Sequence, residues 1–155
     1  MADRANALAV GVLVAFLATG CGSDGVSRAP AATERTRETP VGPHLGALVA
    51  WGEQHRVEFV ADRVTGEVTV YVLGRDARTP APVATDEIVL SLDEPAIQVA
   101  LKPSPQARDP MGTSSRFVGS LPDSTRGWRL RGVLSGVVDG NRVSGELVEF
   151  RPRKH

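Results

Sequence analysis

Cysteine is nearly missing from this sequence: Cys21 is the only one in 155 residues. A lone thiol cannot close an internal disulfide, so the fold has to stand without that staple. Large aromatics are scarce too, with two Trp, one Tyr and four Phe. The core must therefore be built mainly from aliphatic side chains. Neither sign of charge is in excess, since 18 Lys+Arg face 18 Asp+Glu. A nucleic-acid partner needs a basic stripe or patch, so none is expected. Also missing are the Gly-x-Ser-x-Gly elbow, the His-Glu-x-x-His pair and a phosphate-cradling Gly-x-x-x-x-Gly-Lys run. The chain is accordingly read as non-enzymatic, with no cofactor.

What is present begins with an address. Met1 to Arg4 is short and polar, Ala5 to Leu17 is apolar, and small Ala18, Thr19 and Gly20 lead into Cys21. These are the parts of a secretory signal. The apolar run is shorter than the ~20 residues a membrane span needs. Leu17-Ala18-Thr19-Gly20-Cys21 resembles the lipobox of bacterial lipoproteins. That resemblance implies a signal peptide over residues 1–20, cleavage after Gly20 and lipid attachment at Cys21. The partner it implies is a membrane, reached through the N-terminal lipid. It places the protein in the bacterial cell envelope, with the outer membrane expected and the domain in the periplasm or at the cell surface. Residues 21–43 are rich in Ala, Thr, Pro, Ser, Arg and Glu without apolar periodicity. Such a stretch cannot bury enough surface to offset the entropy of ordering it, and reads as a flexible tether.

From residue 44 to 150 the pattern alternates with period two, the mark of half-buried strands. Leu45 to Trp51 reads as a first strand. Val57, Phe59 and Ala61 then alternate with Arg56, Glu58 and Asp62, and Val68, Val70 and Val72 with Glu67, Thr69 and Tyr71. In each case the first set belongs to the core face and the second to the water face. Further strands centre on Ile88 to Leu92, Ile97 to Leu101 and Phe117. The last pair, Trp128 to Val138 and Arg142 to Phe150, is joined through Asp139-Gly140-Asn141, a sequence suited to a tight hairpin. Arg78 to Pro82 is too proline-rich for a central strand, and Pro103 to Ser114 forms a long loop. The expected fold is all-β, an immunoglobulin-like β-sandwich of about seven or eight short antiparallel strands. Residues 151–155 are left as a basic tail, Arg-Pro-Arg-Lys-His.

Several phrases together resemble a group of small bacterial lipoproteins with one β domain. They are Gly42-Pro43-His44, His55 to Phe59, Gly66 to Leu73, Ala77 to Pro82, Ser114 to Gly119 and the Asp139-Gly140 hairpin. The resemblance implies the fold and the address but brings no activity with it. The expected role is a binding or structural module with an envelope protein partner. His44-Leu45-Gly46 is also similar to the His-Gly-Gly opening of periplasmic adaptor proteins of metal-efflux pumps, which implies an alternative: a metal-binding or efflux-accessory domain. For that role His44 and His55 are the candidate metal ligands, with Glu53, Glu58 or Asp62 as oxygen donors.

Other residues invite weighing. Ser114, Ser115 and Arg116 are conceivable as nucleophile and anion stabiliser. Tyr71 and Leu73 fall on the polar side of their strand and could form an exposed patch for a partner. Charge is uneven along the domain: acidic residues dominate up to Asp109 and basic ones after it. The two halves pair across the fold on one reading. On the other, the tail from Arg151 touches anionic lipid.

Overall fold

Residues 40–149 are described here from a computed structural model. The expected signal segment, Cys21, the expected tether up to residue 39 and the tail from residue 150 lie outside the described residues. The domain is all-β, with eight antiparallel strands. These are β1 (Ala47–Trp51), β2 (His55–Ala61), β3 (Glu67–Leu73), β4 (Ile88–Leu92), β5 (Ile97–Pro103), β6 (Arg116–Ser120), β7 (Arg131–Val138) and β8 (Asn141–Val148). The sandwich-like arrangement is made by one continuous sheet in the order β1-β2-β3-β6-β5-β4-β7-β8. β5 joins its two halves. Ile97 to Leu101 pair with β4, while Lys102 and Pro103 pair with β6.

The sheet curls until its two ends nearly meet. Trp51, fully buried on β1, donates its indole N–H to the Leu134 carbonyl of β7 at 3.2 Å. Its ring lies against Gly136 of the same strand, where a Cβ would come within 2.8 Å of ring carbon Cζ2. On β8, Gly145 sits so close to β1 that a Cβ there would stand 2.1 Å from the Ala50 carbonyl oxygen. Glycine is required at this seam because two backbones touch.

The core is aliphatic, as the scarcity of aromatics demands. Val57, Val68, Val70, Val72, Ile88, Leu90, Leu101, Leu130, Leu134 and Leu147 surround Trp51, Phe59 and Phe117. Fully burying side chains of this size stabilises by roughly 1.5–3 kcal/mol each. The turns follow their sequences. Asp139 and Gly140 take φ of 51° and 77° between β7 and β8, the positive values that a two-residue hairpin needs. The Arg78–Pro82 run stays out of the sheet's centre, with Pro80 bridging only to Leu73.

Four expectations need correction. β1 begins at Ala47, because Leu45 has a φ of 63° and belongs to a turn, 87% exposed. β7 begins at Arg131: a 3-10 turn over Asp123–Thr125 and Gly127 at φ 88° keep Trp128 off the strand and 53% exposed. Leu73 is buried rather than part of a surface patch, since the chain returns along it at Pro80 and Ala81. Residues 40–43, expected in the tether, belong to the domain: Leu48 N–H donates to the Pro40 carbonyl and Val41 bridges to Ala47.

The seam makes a direct prediction. Gly145→Ala forces Cβ into the Ala50 carbonyl and Val49, and should cost about 3 kcal/mol, the upper end of overpacking. Gly112→Ala meets nothing within 4 Å. It should cost about 1 kcal/mol, from its positive φ alone. Urea unfolding of the two variants measures the contrast, and equal costs would mean that the ends of the sheet do not press together.

Candidate functional site

Alternation along β2 sends Val57 and Phe59 to the core and Glu58 to the opposite face. Yet Glu58 is 0% exposed. The expectation of a water-facing carboxylate fails because residues 40–46 fold over it. Gly42 N–H donates to the Gly46 carbonyl at 2.9 Å, and Leu45 N–H to the Gly42 carbonyl at 3.0 Å, closing a small turn. This turn aims two backbone donors at one carboxylate oxygen. His44 N–H and Gly46 N–H reach Glu58 Oε1 at 2.6 and 2.8 Å. These two amides, with one residue between them, converge on the same anionic oxygen. Gly42 must be glycine here, since a Cβ would stand 2.3 Å from Glu58 Cδ.

The second carboxylate oxygen, Oε2, lies 2.8 Å from His44 Nδ1. A carboxylate only accepts, so Nδ1 carries the proton in this pairing and Nε2 is left as the ring's other nitrogen. The imidazole lies flat on Tyr71, with ring centroids 3.7 Å apart and planes 7° from parallel. Tyr71 is the cross-strand partner of Glu58 on β3, which puts both on the same face of the sheet. Stack and hydrogen bond together fix the ring in position and rotation. A buried carboxylate would be costly alone, but here three donors meet it.

The candidate metal ligands do not come together. His44 is joined to Glu58, whereas His55 begins β2 opposite Trp51, with ring centroids 6.3 Å apart. His55 shares the face of Val57 and Phe59, and Glu58 with His44 occupies the other. A zinc ion binds imidazole nitrogen at ~2.0–2.1 Å, so one ion cannot take both rings across the sheet. Glu53 sits in the turn after β1, and Asp62 caps Val64 and Thr65 amides in the turn after β2. Among the described residues no group of three or more His, Cys, Asp or Glu could hold a metal. Cys21, the expected lipidation site, lies outside the described residues.

The serines of the long loop are also committed. Ser114 and Ser115 are buried. Ser114 Oγ donates to the Arg116 carbonyl at 2.6 Å, and Ser115 Oγ to Asp109 Oδ1 at 2.8 Å. Asp109 also accepts N–H bonds from Gln106 and Ser115, both at 2.8 Å. Burial works against the Asp109 charge, but those bonds and the nearby Arg116 guanidinium outweigh it and hold its carboxyl below the usual range. Arg116 in turn grips Ser104 through Nε and Nη2. The loop expected between Pro103 and Ser114 is thus organised around a single carboxylate.

The sequence offers Glu58 beside His44 and His55 only as one of three possible oxygen donors, with Glu53 and Asp62. It does not reveal that Glu58 is buried and that backbone amides serve as its partners. The available signal was Gly42 and Gly46 flanking a His three residues before a strand, a pattern for close backbone approach. Compared with family models, curated proteins and solved structures, the chain matches none.

The clasp predicts graded losses. Glu58→Gln keeps the shape and one acceptor but loses the charge-assisted bonds, and should cost about 1–3 kcal/mol. Glu58→Ala, which leaves the His44 and Gly46 amides without their acceptor, should cost more. Thermal unfolding of both variants checks the order; a neutral Glu58→Ala would show that the turn does not depend on its carboxylate.

Proposed function

We propose that this protein is a lipid-anchored bacterial envelope protein whose β domain is a non-enzymatic binding or structural module. The signal-like run before Cys21 supports the anchor, and three donors on one buried carboxylate support a fixed point of attachment. The observation that carries the reading is how the chain joins the domain. Pro40 to Gly46 is bonded to β1 and clasped over Glu58, so a pull from an N-terminal anchor is delivered to the sheet at a defined place. Three of the stretches similar to small lipoproteins, Gly42-Pro43-His44, His55 to Phe59 and Gly66 to Leu73, meet at this clasp.

The side chains that could have carried chemistry are occupied with structure. Ser114 hydrogen-bonds the Arg116 carbonyl at the start of β6, Ser115 bonds Asp109 inside the loop, and the His44–Glu58 pair holds the 40–46 turn. These roles favour a binding or structural module, with an envelope protein as partner, over an enzyme. The expected membrane is the outer one, with the domain in the periplasm or at the cell surface.

Expression of the full chain with its own signal, beside Cys21→Ser, tests the anchor. The wild type should lose the mass of residues 1–20, gain acyl mass and enter the detergent phase; the variant should do none of these. Identical masses and partitioning for the two proteins would sink the anchored reading.

A further inference from the structure

The outer side of β5, β4, β7 and β8 faces water. Alternation sends Leu101, Leu90, Leu134 and Leu147 inward, so the residues between them share the opposite face. Cross-strand pairing orders that face into rows. The middle row is small: Ala100, Val89, Ser135 and Ser144 are partners in turn. On one side of it run Gln98, Ser91, Val133 and Glu146. On the other side Val137 is the partner of Arg142, and Glu87, the residue before β4, bonds Lys102 at 2.7 Å. Val133 is 40% exposed and Val137 47%. Among the described residues no other strand carries an exposed large apolar side chain.

The charges on β8 give this face a direction. Arg142 and Glu146 are both exposed, on one side of the same strand with Ser144 between them. They stand about 13 Å apart along it, and neither enters an ion pair among the described residues. Opposite charges placed evenly about a small residue are self-complementary. A second copy, turned over about an axis across the strands through the middle row, lays β8 on β8 with its direction reversed. Arg142 then meets Glu146 of the second copy, and Glu146 meets its Arg142. On β7 the same rotation sets Val137 against Val133. Lys102, already paired with Glu87, falls over Gln98, and Arg131 over Asp139. Asp93 falls over Thr85, with Asp86 beside it at the exposed rim. No like charges stand opposite one another in this arrangement. A copy turned about the strand direction would instead stack Arg142 on Lys102, so the charges select between the two.

We propose that this face pairs with itself, joining two copies of the chain about a two-fold axis through its middle row. A two-fold interface uses one surface twice, so that surface must complement itself. The spacing of Arg142 and Glu146 about Ser144 supplies that property. The inference goes beyond the binding role proposed above by naming a partner, and it does not depend on the anchor. Four strands by five residues cover only about 300 Å² in plan. An interface of that size belongs with weak, reversible associations.

Sedimentation of the full-length protein in a non-ionic detergent, which covers the apolar run from Ala5 to Leu17 and any acyl chains, reads the number of copies. The wild type should pass from one copy to two between about 10 μM and about 1 mM. Arg142→Glu and Glu146→Arg each turn both attractive contacts into repulsive ones, and each should weaken pairing about tenfold or more. An equimolar mixture of the two variants restores both contacts and should pair as the wild type does, which a loss of folding would not allow. A wild type that stays single at about 1 mM overturns the proposal. Pairing that both variants retain also overturns it, because another surface would then be responsible. So does a mixture that pairs no better than its two components.

Discussion

A carboxylate taken out of water must be met by donors, and the N-terminal edge of this domain is shaped by that requirement at Glu58. Every unusual feature of residues 40–46 serves it. Gly42 permits the approach, Leu45 turns through a positive φ, and the His44 and Gly46 amides converge on one oxygen. His44 closes the other oxygen and is itself clamped on Tyr71. Replacing such a group with an apolar one could be as stable. What the carboxylate adds is direction, because its three donors all come from His44 and Gly46 in one turn.

The rest of the sheet depends on this turn for its edge. β1 is an end strand of the sheet, and one flank of it is covered by two neighbours. Pro40 and Val41 cover its first residues, and β8 presses against Ala50 through Gly145. Trp51 reaches across the interior to β7, so the same strand links clasp, core and seam. An end strand left bare would offer a row of unpaired backbone groups to other chains. The 40–46 turn therefore protects an edge of the sheet as well as closing over Glu58.

The strands were legible because alternation of apolar and polar residues registers which side of a sheet each residue occupies. Val57, Phe59, Val68, Val70, Ile88, Leu90 and Leu101 all lie in the core as that rule demands. The rule says nothing about what later covers the other side. Glu58 and Leu73 were assigned to the water face and are buried, because the 40–46 turn and the Pro80–Ala81 segment return over them. Trp128 erred in the opposite sense. It was expected to open the seventh strand, but Gly127 and the preceding 3-10 turn hold it outside. The site was half legible: His44 and Glu58 were named together, but as ligands, and their union with Tyr71 needed the pairing of β2 with β3. Asp109, which organises the 104–115 loop, carried no signal beyond its place in a long connection.

The central claim is that Glu58 closes residues 40–46 onto the domain as part of its folded structure. Amide hydrogen exchange in the full-length protein measures this most directly, at the His44 and Gly46 N–H groups. Val64 N–H, bonded to Asp62 in an exposed turn, supplies the reference for a local opening. The account predicts that the Gly46 amide exchanges as slowly as Val70 in the core of β3, because releasing it means uncovering a buried carboxylate. Exchange of Gly46 and His44 at the rate of Val64 would contradict it, and would show that the turn opens without the domain.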